Sequence, residues 1–161
     1  MKIITRQSDI QLYDHYEQIN DSFVQDLCEA SKMAMELSYS PYSEYRVGAA
    51  VALKDGQIIK GANQENAVYP LGLCAERVAL FTVSTQYPGA VIQSLAVCTS
   101  KKLTSDQLPP FPCGSCRQVI KEFEDRQQSD IAIYVVGSNN ATCVMSSIKN
   151  ILPFAFGQDS L

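Results

Sequence analysis

Residues 45–62, YRVGAAVALKDGQIIKGA, decide the fold. Tyr45, Val47, Ala49, Val51 and Leu53 alternate onto one face of a strand, Asp55-Gly56 offers a type I′ turn, and residues 57–62 return as a second strand. The other face carries only Gly48, Ala50 and Ala52, so a helix or a ligand can approach the backbone closely there. Upstream, Phe23, Val24, Leu27, Ala30, Ala34 and Leu37 follow helical spacing, and the Ser40-Pro41 step should end that helix. Downstream, residues 74–84 are apolar almost all round, with Glu76 and Arg77 as the only charges, which predicts a buried central helix whose charges need partners. A strand at 92–98, a helix at 113–123 and a strand at 131–136 complete the pattern. Alternation after a hairpin predicts an α/β fold, a mixed sheet sandwiched between helices.

The chain of 161 residues is 46% hydrophobic and 19% charged, the balance of a folding domain. Residues 23–161 read as one domain, without repeats or linkers. Residues 1–22 are weakly patterned and stand as an N-terminal extension without an assigned role. With 13 basic and 17 acidic residues the net charge is -4. A polynucleotide partner, which requires a basic face, is therefore not expected. Neither a signal-type apolar core nor a stretch of membrane-spanning length is present, so a cytoplasmic protein without membrane attachment is expected. In that compartment the six cysteines read as thiols or metal ligands rather than disulfides. Cys28, Cys98 and Cys143 sit in apolar surroundings and read as small buried hydrophobes, which leaves Cys74, Cys113 and Cys116.

Cys113-Gly114-Ser115-Cys116 opens a helix, where positions i and i+3 share a face and two sulfurs can grip one metal. The same motif also suits a dithiol redox centre. Cys74, opening the other helix, supplies a third sulfur. Three protein ligands with one open position is the arrangement of catalytic zinc, whereas structural zinc takes four. No fourth ligand is evident, since the lone His15 reads as a surface or capping residue. Glu76, in the first helical turn beside Cys74, is placed to take a proton from activated water and return it. Three thiolates on one zinc leave a net negative site, and Arg77 and Arg117, each following a motif residue, are candidates for charge compensation.

These residues resemble the cytidine deaminase family, in its small, three-cysteine, homotetrameric branch. The resemblance runs from about Tyr39 to Leu161 through YSPYSEYRVGAA, NQENAVYPLGLCAER, PCGSCRQ and LPFAFG. It implies a three-layer α/β/α sandwich with a mixed five-stranded sheet, one zinc per chain, and hydrolytic deamination of cytidine and deoxycytidine in pyrimidine salvage. It further implies that Asn63 and Glu65 hold the ribose 3′-hydroxyl and that Tyr42 and Tyr69 close the ribose end. Ala75 joins the substrate-binding residues, and Phe156 stacks on the base from an adjacent subunit of a homotetramer with shared active sites. Tyr45 stands where the family usually has Phe, so its hydroxyl needs a partner. The segment at 101–110 is longer than usual and reads as a surface loop. Two other readings share parts of the pattern: deamination of a cytosine-nucleoside antibiotic at the same metal site, and a structural zinc module.

Overall fold

The computed structural model describes residues 3–5, 7–102 and 110–161, without the side chain at 159. Most of the expected surface loop, at 103–109, lies outside the described residues. The sheet is built from β1 (Gln11–Tyr13), β2 (Val47–Leu53), β3 (Ile58–Ala62), β4 (Ile92–Thr99), β5 (Ala132–Val136) and β6 (Thr142–Met145). Its spatial order is β1-β6-β5-β4-β2-β3, antiparallel throughout except for the β4–β5 pair. The helices are α1 (Ser22–Met35), α2 (Ala75–Gln86) and α3 (Gly114–Gln127).

The layers follow from strand alternation. One face presents Ala50, Ala52, Ala96, Cys98 and Val136, and packs with Leu27 and Cys28 of α1 and with Tyr16. The opposite face presents Ala49, Val51, Leu53, Leu95, Val97, Ile133 and Val135 to Ala79, Leu80 and Val83 of α2 and Ile120 and Phe123 of α3. The result is a three-layer α/β/α sandwich. Leu27, Leu80, Leu95, Ile120 and Ile133 are fully buried, and each contributes roughly 1.5–3 kcal/mol by leaving water.

The mixed sheet has six strands where five were expected. The additional strand lies within the first 22 residues, where Gln11, Leu12 and Tyr13 pair with Val144, Cys143 and Thr142. Three residues are too few to show a period in sequence. The same segment buries Tyr16, whose hydroxyl donates to Glu29 Oε2 at 2.8 Å. His15 Nδ1 accepts from the Glu17 amide at the start of a short 3-10 turn, a capping role as expected.

The hairpin turn also differs from expectation. Gly56 is left-handed at φ 91°, but Asp55 is not among the positive-φ residues, so the type I′ geometry is not formed. The Gly56 amide donates to Leu53 O and the Leu53 amide to Gln57 O, closing a three-residue loop of type I turn plus bulge. Helix α1 begins where Asp21 accepts the Phe23 and Val24 amides, and it ends at Met35, short of the Ser40-Pro41 step. Helix α2 is buried on its sheet side, yet Phe81 on its outer side is 43% exposed, so the helix is not enclosed within a single chain.

Two glycines set how closely the helices approach. A Cβ at Gly48 would lie 2.2 Å from both Ser31 O and Met35 N of α1, and one at Gly61 would lie 2.5 Å from Ala79 N of α2. Both obstacles are backbone and cannot rotate away. Gly48→Ala and Gly61→Ala should each therefore cost roughly 2–3 kcal/mol, the upper part of the overpacking range. Urea unfolding checks this, and a change below about 0.5 kcal/mol would show that the helices can simply shift outward.

Candidate active site

Cys74 and Cys113 are the residues immediately before α2 and α3, and Cys116 lies one turn into α3. Neither terminus has a side-chain cap, so the free amides and positive dipole ends of both helices converge on the thiols. The three Sγ atoms lie within 4.8 Å of one another, Cys74 to Cys113 at 3.8 Å and Cys113 to Cys116 at 3.5 Å. Sulfurs sharing one tetrahedral zinc at about 2.3 Å would be about 3.8 Å apart. The donor set therefore fits zinc in both spacing and softness, with Cys74, Cys113 and Cys116 as the residues that would hold it. It is the only such cluster of three possible ligands among the described residues. Cys28, Cys98 and Cys143 are buried and free, as their apolar surroundings suggested.

The Cys74 thiol is lowered to about 5, first by hydrogen bonding with Cys116 and then by Arg77, while Cys116 is pushed up by sharing that bond and by burial. One proton shared among close sulfurs accounts for the opposite directions. Arg77 Nη2 donates to Cys74 Sγ at 3.4 Å. Its Nε is buried and has no hydrogen-bond partner among the described residues. Arg117 is placed differently. Its Nε donates to Pro112 O at 2.7 Å and its Nη1 to Ile151 O at 2.8 Å, so the bonds it makes go to backbone carbonyls and not to sulfur.

Glu76 occupies the first turn of α2 and is 4% exposed. Burial is the main cause that raises its carboxyl above the ordinary range, and the nearby Cys74 adds to it. It lines a cavity of about 380 Å³ together with Cys74, Ala75, Cys113, Asn63, Glu65, Tyr45 and Tyr69. Cys74, Cys113, Glu76 and most of the residues expected to contact substrate thus border one space. Tyr42 borders an adjoining cavity that shares Glu65, Tyr69 and Gly72 with the first, and its ring lies 5.9 Å from that of Tyr69. Phe156 is not among the residues lining this cavity; it stands 59% exposed on the C-terminal segment.

The polar end of the cavity is organised before any ligand arrives. Asn63 Oδ1 accepts from Val47 N and Ser38 Oγ at 2.8 and 2.5 Å, and Nδ2 donates to Tyr45 O at 2.9 Å. Since a carboxamide carries two N–H donors, one remains for a ligand. Glu65 accepts from the Tyr42 and Ser43 amides and from the Ser43 hydroxyl. These bonds, that of the Ser43 side chain first, hold its carboxyl below the usual range and keep it ionised.

Several lining residues escaped the sequence reading: Gln64, Leu73, Val97, Thr99 and Phe111. Phe111 had a signal in sequence, standing between two prolines directly before Cys113. Burial raises the Tyr45 phenol above its ordinary value, while the neighbouring Thr99 side chain acts in the opposite direction. Lys101 Nζ also lies 5.6 Å from the Tyr45 ring centre.

The fold and the thiol cluster together define a family. The profile described as the cytidine and deoxycytidylate deaminase zinc-binding region matches residues 21–129. A cytidine deaminase of Halalkalibacterium halodurans is 36% identical over 137 residues, covering 85% of this chain and 96% of that protein. One from Sporosarcina psychrophila is 36% identical over 138 residues, covering 86% and 94%. Among solved structures, the cytidine deaminase from Burkholderia pseudomallei superposes with a TM-score of 0.71 at 36% identity, covering 82% of this chain and 98% of that one. The chain belongs to the cytidine and deoxycytidylate deaminase family, whose members carry a zinc-binding region.

Replacing one thiol tests the metal centre directly. Cys113→Ala should reduce bound zinc from one per chain to well below one tenth, measured by elemental analysis after gel filtration. Cys143→Ala should retain the full equivalent. Undiminished zinc in the first variant would move the metal elsewhere.

Proposed function

We propose that the protein catalyses the zinc-dependent hydrolytic deamination of free cytidine and deoxycytidine to uridine and deoxyuridine. The observation that carries this reading is a cluster of three thiols, two of which, Cys74 and Cys113, line one cavity together with the buried carboxyl of Glu76. Bound zinc supplies a Lewis acid that activates water for attack on C4 of the cytosine ring.

The remaining work belongs to the chain. Glu76, kept in a dry wall where its proton affinity is raised, accepts the two protons of the attacking water in turn and delivers one to the ring nitrogen and one to the departing amine, which leaves as ammonia. Ala75, beside Cys74, lines the base end, where Tyr45, Val97 and Phe111 offer apolar surface. Glu65, held ionised by Ser43 and Tyr42, accepts from the sugar hydroxyl, and the free N–H of Asn63 donates to it. Tyr42 and Tyr69 border the sugar end. The Glu65 carboxylate and the net charge of -4 both disfavour a phosphorylated sugar. The antibiotic reading is less favoured, because Asn63, Glu65 and Tyr69 together suit an ordinary sugar. A structural zinc module accounts for neither an open cavity beside the thiols nor a buried carboxyl on its wall.

The active unit in this reading is a homotetramer with shared sites. Phe154 and Phe156 are 71% and 59% exposed, Tyr69 at the cavity edge is 74% exposed, and Leu71 is 65% exposed. A neighbouring copy would cover these apolar groups, and Phe156 of one copy would then stack on the base held by another. Stacking of that kind is worth roughly 1–3 kcal/mol per base. The product suits the re-use of free nucleosides in the cytoplasm. None of the helices in the described residues is long and apolar enough to cross a membrane.

Loss of cytidine absorbance on conversion to uridine tests the assignment. Cytidine or deoxycytidine should be turned over, with CMP and single-stranded DNA converted at least a hundredfold more slowly. Glu76→Gln should keep its zinc and lose about 10²- to 10⁴-fold in turnover, the usual range for a general acid–base group. Near-native turnover in that variant would remove Glu76 from the mechanism. Light scattering should give one tetrameric peak, and an active monomer would refute the shared site.

A further inference from the structure

Arg117 directly follows a metal-binding cysteine, yet the bonds it makes go to the backbone. Its Nε donates to the carbonyl of Pro112, the residue preceding Cys113, and its Nη1 donates to the carbonyl of Ile151. Pro112 is buried, and Arg117 is partly buried between the two chain segments. The neighbouring Gln118 donates from Nε2 to Phe156 O at 2.9 Å. Two adjacent residues of α3 therefore hold two places on the C-terminal segment, and one of them also holds the peptide leading into a metal ligand. That leading peptide carries Pro110 and Phe111, which form part of the cavity wall.

We infer that Arg117 is a positioning residue that bridges the metal-binding loop to the C-terminal segment, fixing Cys113 and the Phe111 wall through the Pro112 carbonyl. The guanidinium suits this task because its donors leave in a rigid planar fork, so two carbonyls from distant parts of the chain can be held at a set separation. An ammonium is a point charge on a flexible stem. It can satisfy one of these carbonyls but does not impose the distance between them. The bridge differs from the charge compensation expected from sequence, in which any cation at this position would serve.

The inference rests on the zinc assignment, and its test reads metal release separately from catalysis. Arg117→Met and Arg117→Lys are loaded with zinc, and release to a chromophoric chelator is timed. Far-UV circular dichroism and thermal melting monitor the fold, and KM and kcat for cytidine are measured in parallel. Arg117→Met should release zinc at least tenfold faster and raise KM more than it lowers kcat, because the loosened wall contributes binding surface. Arg117→Lys, which keeps the charge, should remain within threefold of the Met variant. Gln118→Ala, which frees only Phe156, should release zinc at the native rate. Native-like release and KM in Arg117→Lys would overturn the bridge in favour of simple charge, as would release within twofold of native in Arg117→Met. Should the Met variant fail to fold, the Lys variant alone separates the two roles. Absence of cytidine turnover in the native protein would count against the proposed reaction while leaving the zinc-release comparison intact.

Discussion

The contact between β3 and α2 at Gly61 governs the site. A side chain there would strike the Ala79 amide at 2.5 Å and the Ala75 carbonyl at 2.7 Å, so the helix can lie against the sheet only because that residue has none. This approach places the first turn of α2, with Cys74 before it and Glu76 within it, at the end of the sheet where Val97 and Thr99 of β4 finish. The parallel connection from β4 through α3 to β5 brings a second helix N-terminus to the same end. In open α/β sheets, ligand sites form outside the carboxyl ends of strands for this topological reason. The thiols meet because two backbones are delivered to one place, and their chemistry follows from that delivery.

Burial and hydrogen bonding act in opposite directions within the cavity. Glu76 is raised by burial, while Glu65, a short distance along the same wall, is lowered by three hydrogen bonds from residues 42 and 43. Two carboxyl groups thereby acquire different tasks, one able to hold and release a proton and the other fixed as an anion. The division is set by neighbours and not by residue type, in keeping with how acid and base roles are separated elsewhere.

Where periodicity was long, the sequence reading matched the structure. The hairpin face, the bare strip at Gly48, Ala50 and Ala52 that receives α1, and the spacing of Cys113 and Cys116 were all legible from local pattern. Features set by long-range contacts were not. Gln11–Tyr13 is too short to show alternation, and its partner strand Thr142–Met145 lies at the other end of the chain. Ser38 and Ser43, which secure Asn63 and Glu65, lie 25 and 22 residues away from them. Arg117 stood in the right motif, but its bond to the Ile151 carbonyl depended on how the C-terminal segment folds back. The hairpin turn was misread for a local reason, because Asp-Gly fits both a type I′ turn and the longer loop that forms.

The pairing of β1 with β6 has a consequence for synthesis. Residue 11 meets residue 144, so the ladder encloses nearly the whole chain and cannot form while the C-terminal part is still in the ribosome. Until then β5 and β6 are missing from the sheet, and the face that receives Tyr16 is incomplete. Non-local pairings of this kind slow folding, and unpaired edges invite association with the wrong partner. During synthesis β1 therefore stays unplaced until residues 142–145 have emerged to pair with it.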